Sequence, residues 1–257
     1  MFCRTVMKGF EMKRTGFYRS ILFFIFMFVS LTHSAFAFNV PEKLIFDLTW
    51  AGIKAGTATL NIIKEQDSMK IVSTARSDDW VSLFYTVDDR IESRIVRTQS
   101  SYFALPQNYL VKIREGRHRR HKEVIFDHEK RKAVYINHIE NDKKTLDIGE
   151  NTLDPLSSFY HIRTMNIEVG KSVFLDIFDS KRLWNIEVQI LRKEKIQTSL
   201  GEFNTIVIKP LMKSEGIFNR KGDMYIWLTD DMKHIPVKMQ TKVAVGSITA
   251  TLVGGNY

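Results

Sequence analysis

Apolar and polar residues alternate through most of this chain, and a period of two leaves little choice of fold. In "LWNIEVQI" (183–190), Trp184, Ile186, Val188 and Ile190 fall on one face, and Asn185, Glu187 and Gln189 on the other. Successive side chains of a strand point to opposite faces, so such a segment has one dry side and one wet side. "KLIFDLTW" (43–50) repeats the pattern with Leu44, Phe46, Leu48 and Trp50, and "KSVFLDIFD" (171–179) with Val173, Leu175 and Ile177. Further strands are predicted in "HKEVIFD" (121–127), "KAVYIN" (132–137), "FNTIVIKP" (203–210), "GDMYIWLT" (222–229), "HIPVKMQTKVAV" (234–245) and "GSITATLV" (246–253). One helix is predicted, in "DPLSSFYHIRTMN" (154–166). Asp154 is its N-cap, Pro155 its first residue, and Leu156, Phe159, Tyr160 and Arg163 follow at helical spacing. The expectation is a mostly β protein: a large curved antiparallel sheet or open β-barrel, with this mid-chain helix packed across the sheet or plugging one end.

The N-terminus reads as a leader. Lys13, Arg14 and Arg19 precede the apolar run "ILFFIFMFVSL" (21–31), and Ala35-Phe36-Ala37 follows as a small-residue cleavage site. The run is about half of the roughly 20 residues a membrane span needs, which favours a cleaved signal over a retained anchor. A signal starting at Met12 has ordinary proportions too. Cleavage after Ala37 leaves residues 38–257 as one domain with no transmembrane span. Its 33 basic and 28 acidic residues give a net charge of +5 instead of +9. The single cysteine, Cys3, leaves with the leader, so no disulfide or thiol chemistry is expected. The compartment expected is the periplasm.

Within 52–56, Gly52 and Gly56 flank Lys54 and alternation stops. Glycine at that place marks a bend between strands, here running from Trp50 to Gly56 with Lys54 at the tip. "KIREGRHRRHKE" (112–123) is the most basic stretch, and Glu115-Gly116 suggests a hairpin tip. Arg114, Arg117, Arg119 and Arg120 are its candidate anion contacts, for lipid headgroups or glycan phosphates. The alternative is a solvated hairpin whose charges keep an edge strand from pairing. Nucleic acid is not an expected partner of an exported chain. His118, His121, His128 and His138 lie within twenty-one residues but lack zinc-ligand spacing, since Lys132 occupies the second-histidine position of the helical zinc motif. The pairs Asp78-Asp79, Asp88-Asp89 and Asp230-Asp231 read as turn chemistry. Ser157 and Ser158 with His161 lack an orienting acid and an oxyanion hole. No nucleotide-binding or nucleophile-elbow motif occurs. No cofactor, metal or catalytic residue is expected.

Several segments together resemble the bacterial exported family called domain of unknown function 3108. They are "WAGIKAGTATL" (50–60), "DPLSSFYHIR" (154–163), "TSLGEFNTIVIKP" (198–210), "KGDMYIWLTDDMKHIPVKM" (221–239) and "GSITATL" (246–252). The resemblance spans nearly all of 40–255 and implies an exported, mostly β protein without supplying a catalytic residue. Its architecture is similar to periplasmic lipoprotein carriers, a likeness of fold alone.

The function expected is therefore non-catalytic: an envelope protein binding an amphipathic lipid or glycan on the concave face. Trp50, Phe84, Trp184, Tyr225 and Trp227 are its candidate cavity residues. Two alternatives stand beside it. One is an envelope scaffold that binds a protein partner. The other is a hydrolase of envelope polymers using carboxylates such as Asp154 or Asp230. The oligomeric state is not encoded in any motif.

Overall fold

A computed structural model describes residues 39–97, 104–211, 223–243 and 246–257. The expected leader, with its predicted cleavage site and Cys3, lies outside the described residues. Alternation becomes strand almost throughout. The first half contains β1 (Glu42–Trp50), β2 (Ile53–Glu65), β3 (Ser68–Ser77), β4 (Asp88–Arg97), β5 (Ala104–Glu115), β6 (His118–Asp127), β7 (Lys132–Asn137) and β8 (Asp142–Asp147). The second contains β9 (Ser172–Asp179), β10 (Arg182–Thr198), β11 (Gly201–Pro210), β12 (Met224–Thr229), β13 (Pro236–Lys242) and β14 (Ser247–Asn256). A single helical turn, α1 (Asp79–Ser82), precedes β4, and α2 (Pro155–Arg163) lies between β8 and β9.

All fourteen strands join one antiparallel sheet in the order β8-β7-β6-β5-β4-β3-β2-β1-β14-β13-β12-β11-β10-β9. Every neighbour is also a neighbour in sequence except the central pair, where β1 meets β14. The sheet is not closed: β8 and β9 are its two ends and share no ladder among the described residues. They are tied in other ways. Leu153, downstream of β8, bridges to β9: its N–H donates to the Asp176 carbonyl at 2.8 Å, and its carbonyl accepts from the Phe178 N–H at 2.8 Å. Phe178 meets Phe126 of β6 edge-on, with centroids 6.2 Å apart. At the β9–β10 tip, Lys181 pairs with Asp142, and Lys122 donates to Ser180 at 3.2 Å.

Two local expectations change and a third holds. The bend after Trp50 is tighter than the glycine spacing suggests. Ala51 and Gly52, both at positive φ (49° and 87°), make a two-residue turn, and β2 starts at Ile53. Gly56 lies past the turn, inside β2, where an added Cβ would sit 2.2 Å from the Arg76 carbonyl oxygen of β3. Asp88 and Asp89 are not turn residues. They open β4, where Asp88 pairs with Arg76 at 3.2 Å and Asp89 accepts from the Arg114 N–H at 3.0 Å. Asp231 does hold a turn, accepting from the N–H groups of Lys233 (2.9 Å) and His234 (3.1 Å).

Helix α2 lies across the concave face against β3, β4 and β9. Both its ends are fastened by buried polar contacts. At the N-terminus Asp154 accepts from the N–H groups of Leu156 (2.8 Å) and Ser157 (2.9 Å), and the Ser157 hydroxyl accepts from the Asp154 N–H. The other oxygen of Asp154 accepts from Ser93 of β4 at 2.6 Å. At the C-terminus Arg163, fully buried, forms two bonds of 2.8 and 2.7 Å to Glu42 of β1. Tyr160 donates to the same carboxylate at 3.3 Å, and its ring lies 4.9 Å beneath the guanidinium. No helix of the described residues is long and apolar enough to cross a membrane.

A buried ion pair that loses one partner leaves an uncompensated charge, at a cost of about 3–5 kcal/mol. Arg163→Met should lower the urea-unfolding free energy by that amount, and adding Glu42→Leu should restore most of it. A single-variant loss below about 1 kcal/mol would show that the pair does not hold α2 to the sheet.

Candidate functional site

Side chains from both halves of the sheet converge under α2 without filling the space. A cavity of about 260 Å³ remains there. Phe46 (β1), Leu60 (β2), Ile91 (β4) and Tyr109 (β5) form one wall, and Leu175, Ile177, Ile186, Val188, Ile208 and Ile226 (β9 to β12) the opposite one. Leu156, Phe159 and Ile162 of α2 form the roof. Only Ser73, Ser158 and Tyr109 bring polar atoms to this lining, and the Ser158 hydroxyl is spent on the Pro155 carbonyl at 2.9 Å. A larger depression of about 560 Å³, beside Lys70, Glu92 and Arg94, is a different kind of place. Its charges are already matched, Lys70 to Glu92 at 2.7 Å and Arg94 to Glu65 at 3.0 Å. We take the apolar cavity as the candidate site.

None of the five aromatics expected at a cavity lines this one. Trp50 is 44% exposed at the end of β1, and Phe84 is 85% exposed after α1. Tyr225 and Trp227 face outward, since Met224 and Ile226, which alternate with them, line the cavity. Lys209 covers Tyr225 at 5.4 Å, Lys238 covers Trp227 at 4.6 Å, and the Trp227 indole donates to Glu194. Trp184 faces inward beside the cavity, opposite Ile177 in the ladder, with Arg182 stacked on it at 4.7 Å. The walls are aliphatic because the inward positions of β9 to β12 carry Leu, Ile and Val.

The four arginines do not converge. Arg114 and Arg119 are cross-strand partners on the outer face, and Arg117 sits in the turn. Arg119 donates to the Gly116 (2.7 Å) and His118 (2.8 Å) carbonyls of its own hairpin. Arg120, opposite the buried Ile113, is on the other face and donates to His118 at 2.7 Å. His121 and His138 meet with their rings tilted and centroids 4.3 Å apart, and His138 contacts Glu123 at 3.0 Å. Among the described residues no three His, Cys, Asp or Glu side chains are grouped to hold a metal. Asp154 is enclosed beneath α2, whereas Asp230 lies in the β12–β13 turn, paired with Lys193 at 2.7 Å.

Burial shifts the ionisable groups around the site. It pushes the Asp154 carboxyl up to about 6, against the bonds from Ser93, Ser157 and Leu156 that favour the charged form. It pushes His161 of α2 down to about 4. Asp179, at the end of β9, is raised by burial and partly held down by Lys122. Tyr109 is raised by burial and then by the charges of Asp179 and Asp154.

The comparisons with known proteins agree with this architecture. The family described as "Protein of unknown function (DUF3108)" matches residues 45–253, and the chain belongs to that family. No curated protein matches the chain. A crystal structure of a β-barrel-like protein of domain of unknown function DUF1849, from Brucella abortus, is similar with a TM-score of 0.54 and 13% identity. The similarity covers 84% of this chain and 97% of that one, and at this identity it concerns the fold alone.

The shifts of Asp154 and His161 have opposite consequences. Asp154 is raised above its ordinary 3.8, so its contribution to stability is full below that value and is lost as pH rises to about 6. Asp179 adds to the same trend. His161 is lowered from 6.5, so its contribution is full above 6.5 and is lost as pH falls to about 4. Each effect is worth about 3 kcal/mol, and the two offset one another. Unfolding measured from pH 4 to 6.5 should therefore show rising stability in Asp154→Asn, falling stability in His161→Gln, and a flatter profile in the parent.

Proposed function

We propose that this member of the DUF3108 family is an exported, non-catalytic protein that holds the apolar part of an amphipathic ligand beneath α2. The observation that carries the reading is the cavity of about 260 Å³. Protein interiors normally pack to crystal density, with few voids larger than a water molecule, and an unfilled apolar void costs stability. This one exceeds the roughly 150 Å³ that accommodates a benzene molecule, and falls just short of the roughly 300 Å³ where drug-sized sites begin. It suits one acyl chain or a similar apolar group, with the rest of the molecule outside. The leader supports export, and an envelope ligand follows from that location. The separate surroundings of Asp154 and Asp230 support a non-catalytic role.

A second reading, partner binding in the envelope, is favoured by one rim of the sheet. Leu83 and Phe84 project into solvent just after α1, 81% and 85% exposed. Trp80 of α1 donates to the Lys54 carbonyl at 3.1 Å, which brings Ile53 and the β1–β2 turn alongside. A group of large exposed apolar side chains on one rim is a common mark of an interaction surface.

Native mass spectrometry of protein purified from its host, followed by lipid extraction, tests both readings. The expected result is a co-purifying amphiphile that disappears in Ala58→Phe, a variant that fills the cavity and keeps or raises the thermal midpoint. A ligand-free parent and an empty extract would sink the binding reading. A protein partner lost in Leu83→Asp/Phe84→Asp would establish the second.

A further inference from the structure

Three buried polar atoms belong to side chains on the cavity-facing side of β5, β9 and β10. Tyr109 Oη, Asp179 Oδ2 and Trp184 Nε1 are each enclosed with no hydrogen-bond partner among the described residues. Tyr109, 2% exposed, is part of the cavity wall. Asp179, 5% exposed, lies two residues beyond the wall residue Ile177 and so on the same face of β9. Trp184 is the ladder partner of Ile177 on β10, which places it on that face as well. The second carboxyl oxygen of Asp179 already accepts from Ser180 at 3.1 Å, so Oδ2 is the open acceptor. Buried polar atoms are nearly always paired, and a group of unpaired ones calls for a missing occupant.

We propose that this polar point recognises a hydroxyl group carried on the apolar body of the ligand. The inference rests on the binding reading above and specifies its chemistry. An indole N–H can only donate, and an ionised carboxylate can only accept. A phenol can donate. The set therefore offers two donors and one acceptor. A hydroxyl is the complement: two lone pairs and one O–H. A ketone or ether would leave Asp179 Oδ2 unpaired, and an ammonium would leave both donors unpaired. The ligand class is thus a neutral alcohol with an apolar skeleton, such as a long-chain alcohol or a hydroxylated lipid tail.

Octan-1-ol and 1-methoxyheptane are isomers that differ in the O–H donor, and titration calorimetry of both against the full protein provides the test. The alcohol should bind about tenfold more tightly, the worth of one well-made buried hydrogen bond. In Tyr109→Phe both affinities should fall together, by about tenfold or less, because either oxygen can accept from the phenol, and the preference should stay. This variant removes only an unpaired hydroxyl, so its thermal midpoint should match or exceed the parent's. Asp179→Asn removes the carboxylate that only the alcohol's O–H can pair with, and should bring the preference below about threefold. Equal affinities for the two isomers in the parent, or a preference unchanged in Asp179→Asn, would overturn the hydroxyl assignment and leave the apolar cavity standing, with water as the occupant of the polar point. No binding of either isomer would overturn the cavity reading itself.

Discussion

The ion pair between Arg163 and Glu42 decides what the interior of this sheet can be. It joins the C-terminal end of α2 to β1, at the centre of the sheet, through two charge-assisted bonds shielded from solvent. Asp154 and Ser93 fasten the other end to β4. A helix held at both ends cannot settle deeper into the sheet to close the space beneath it. The same contacts that place α2 therefore maintain the cavity.

This arrangement separates rigidity from filling. The two ends of the sheet share no ladder, yet Leu153, Phe178 and Lys181 tie them together. Two groups of buried polar residues stand out around the helix and the cavity. Those at the helix ends satisfy one another fully and fix geometry. Those near Asp179 and Tyr109 are left incomplete. Buried polar atoms are nearly always paired, so the contrast between the two groups is what the binding proposal sets out to explain.

Much of the fold was legible because its rule is simple. Trp184 to Ile190 alternates without exception, and α2 carries Asp154 and Pro155 where a helix start requires them. β5 escaped detection although Tyr109, Val111 and Ile113 alternate in it, and the other strands that did so break the rule for physical reasons. β3 has adjacent buried residues, Ile71 and Val72. β4 points the polar Ser93 inward, where Asp154 receives it. β8, "DKKTLD", is an edge strand with little apolar content. The site was harder to see. Aromatic residues looked like ligand contacts, but Tyr225 and Trp227 lie outward beneath lysines, and the walls are aliphatic residues indistinguishable from ordinary core. The one pertinent hint in the sequence was polar: Asp179 closes an otherwise inward-facing apolar row of Val173, Leu175 and Ile177.

The seam between β1 and β14 has a consequence for how the molecule is made. Thr49 and Thr249, two hundred positions apart, face each other across it. Each half can zip up locally as a meander, but the central ladder must wait for the last strand to arrive. Long-range pairing of this kind slows folding and leaves edges bare in the meantime. Until β14 is in place, β1 and the second meander each present an unpaired edge, so the order in which strands emerge decides how long the sheet stays open.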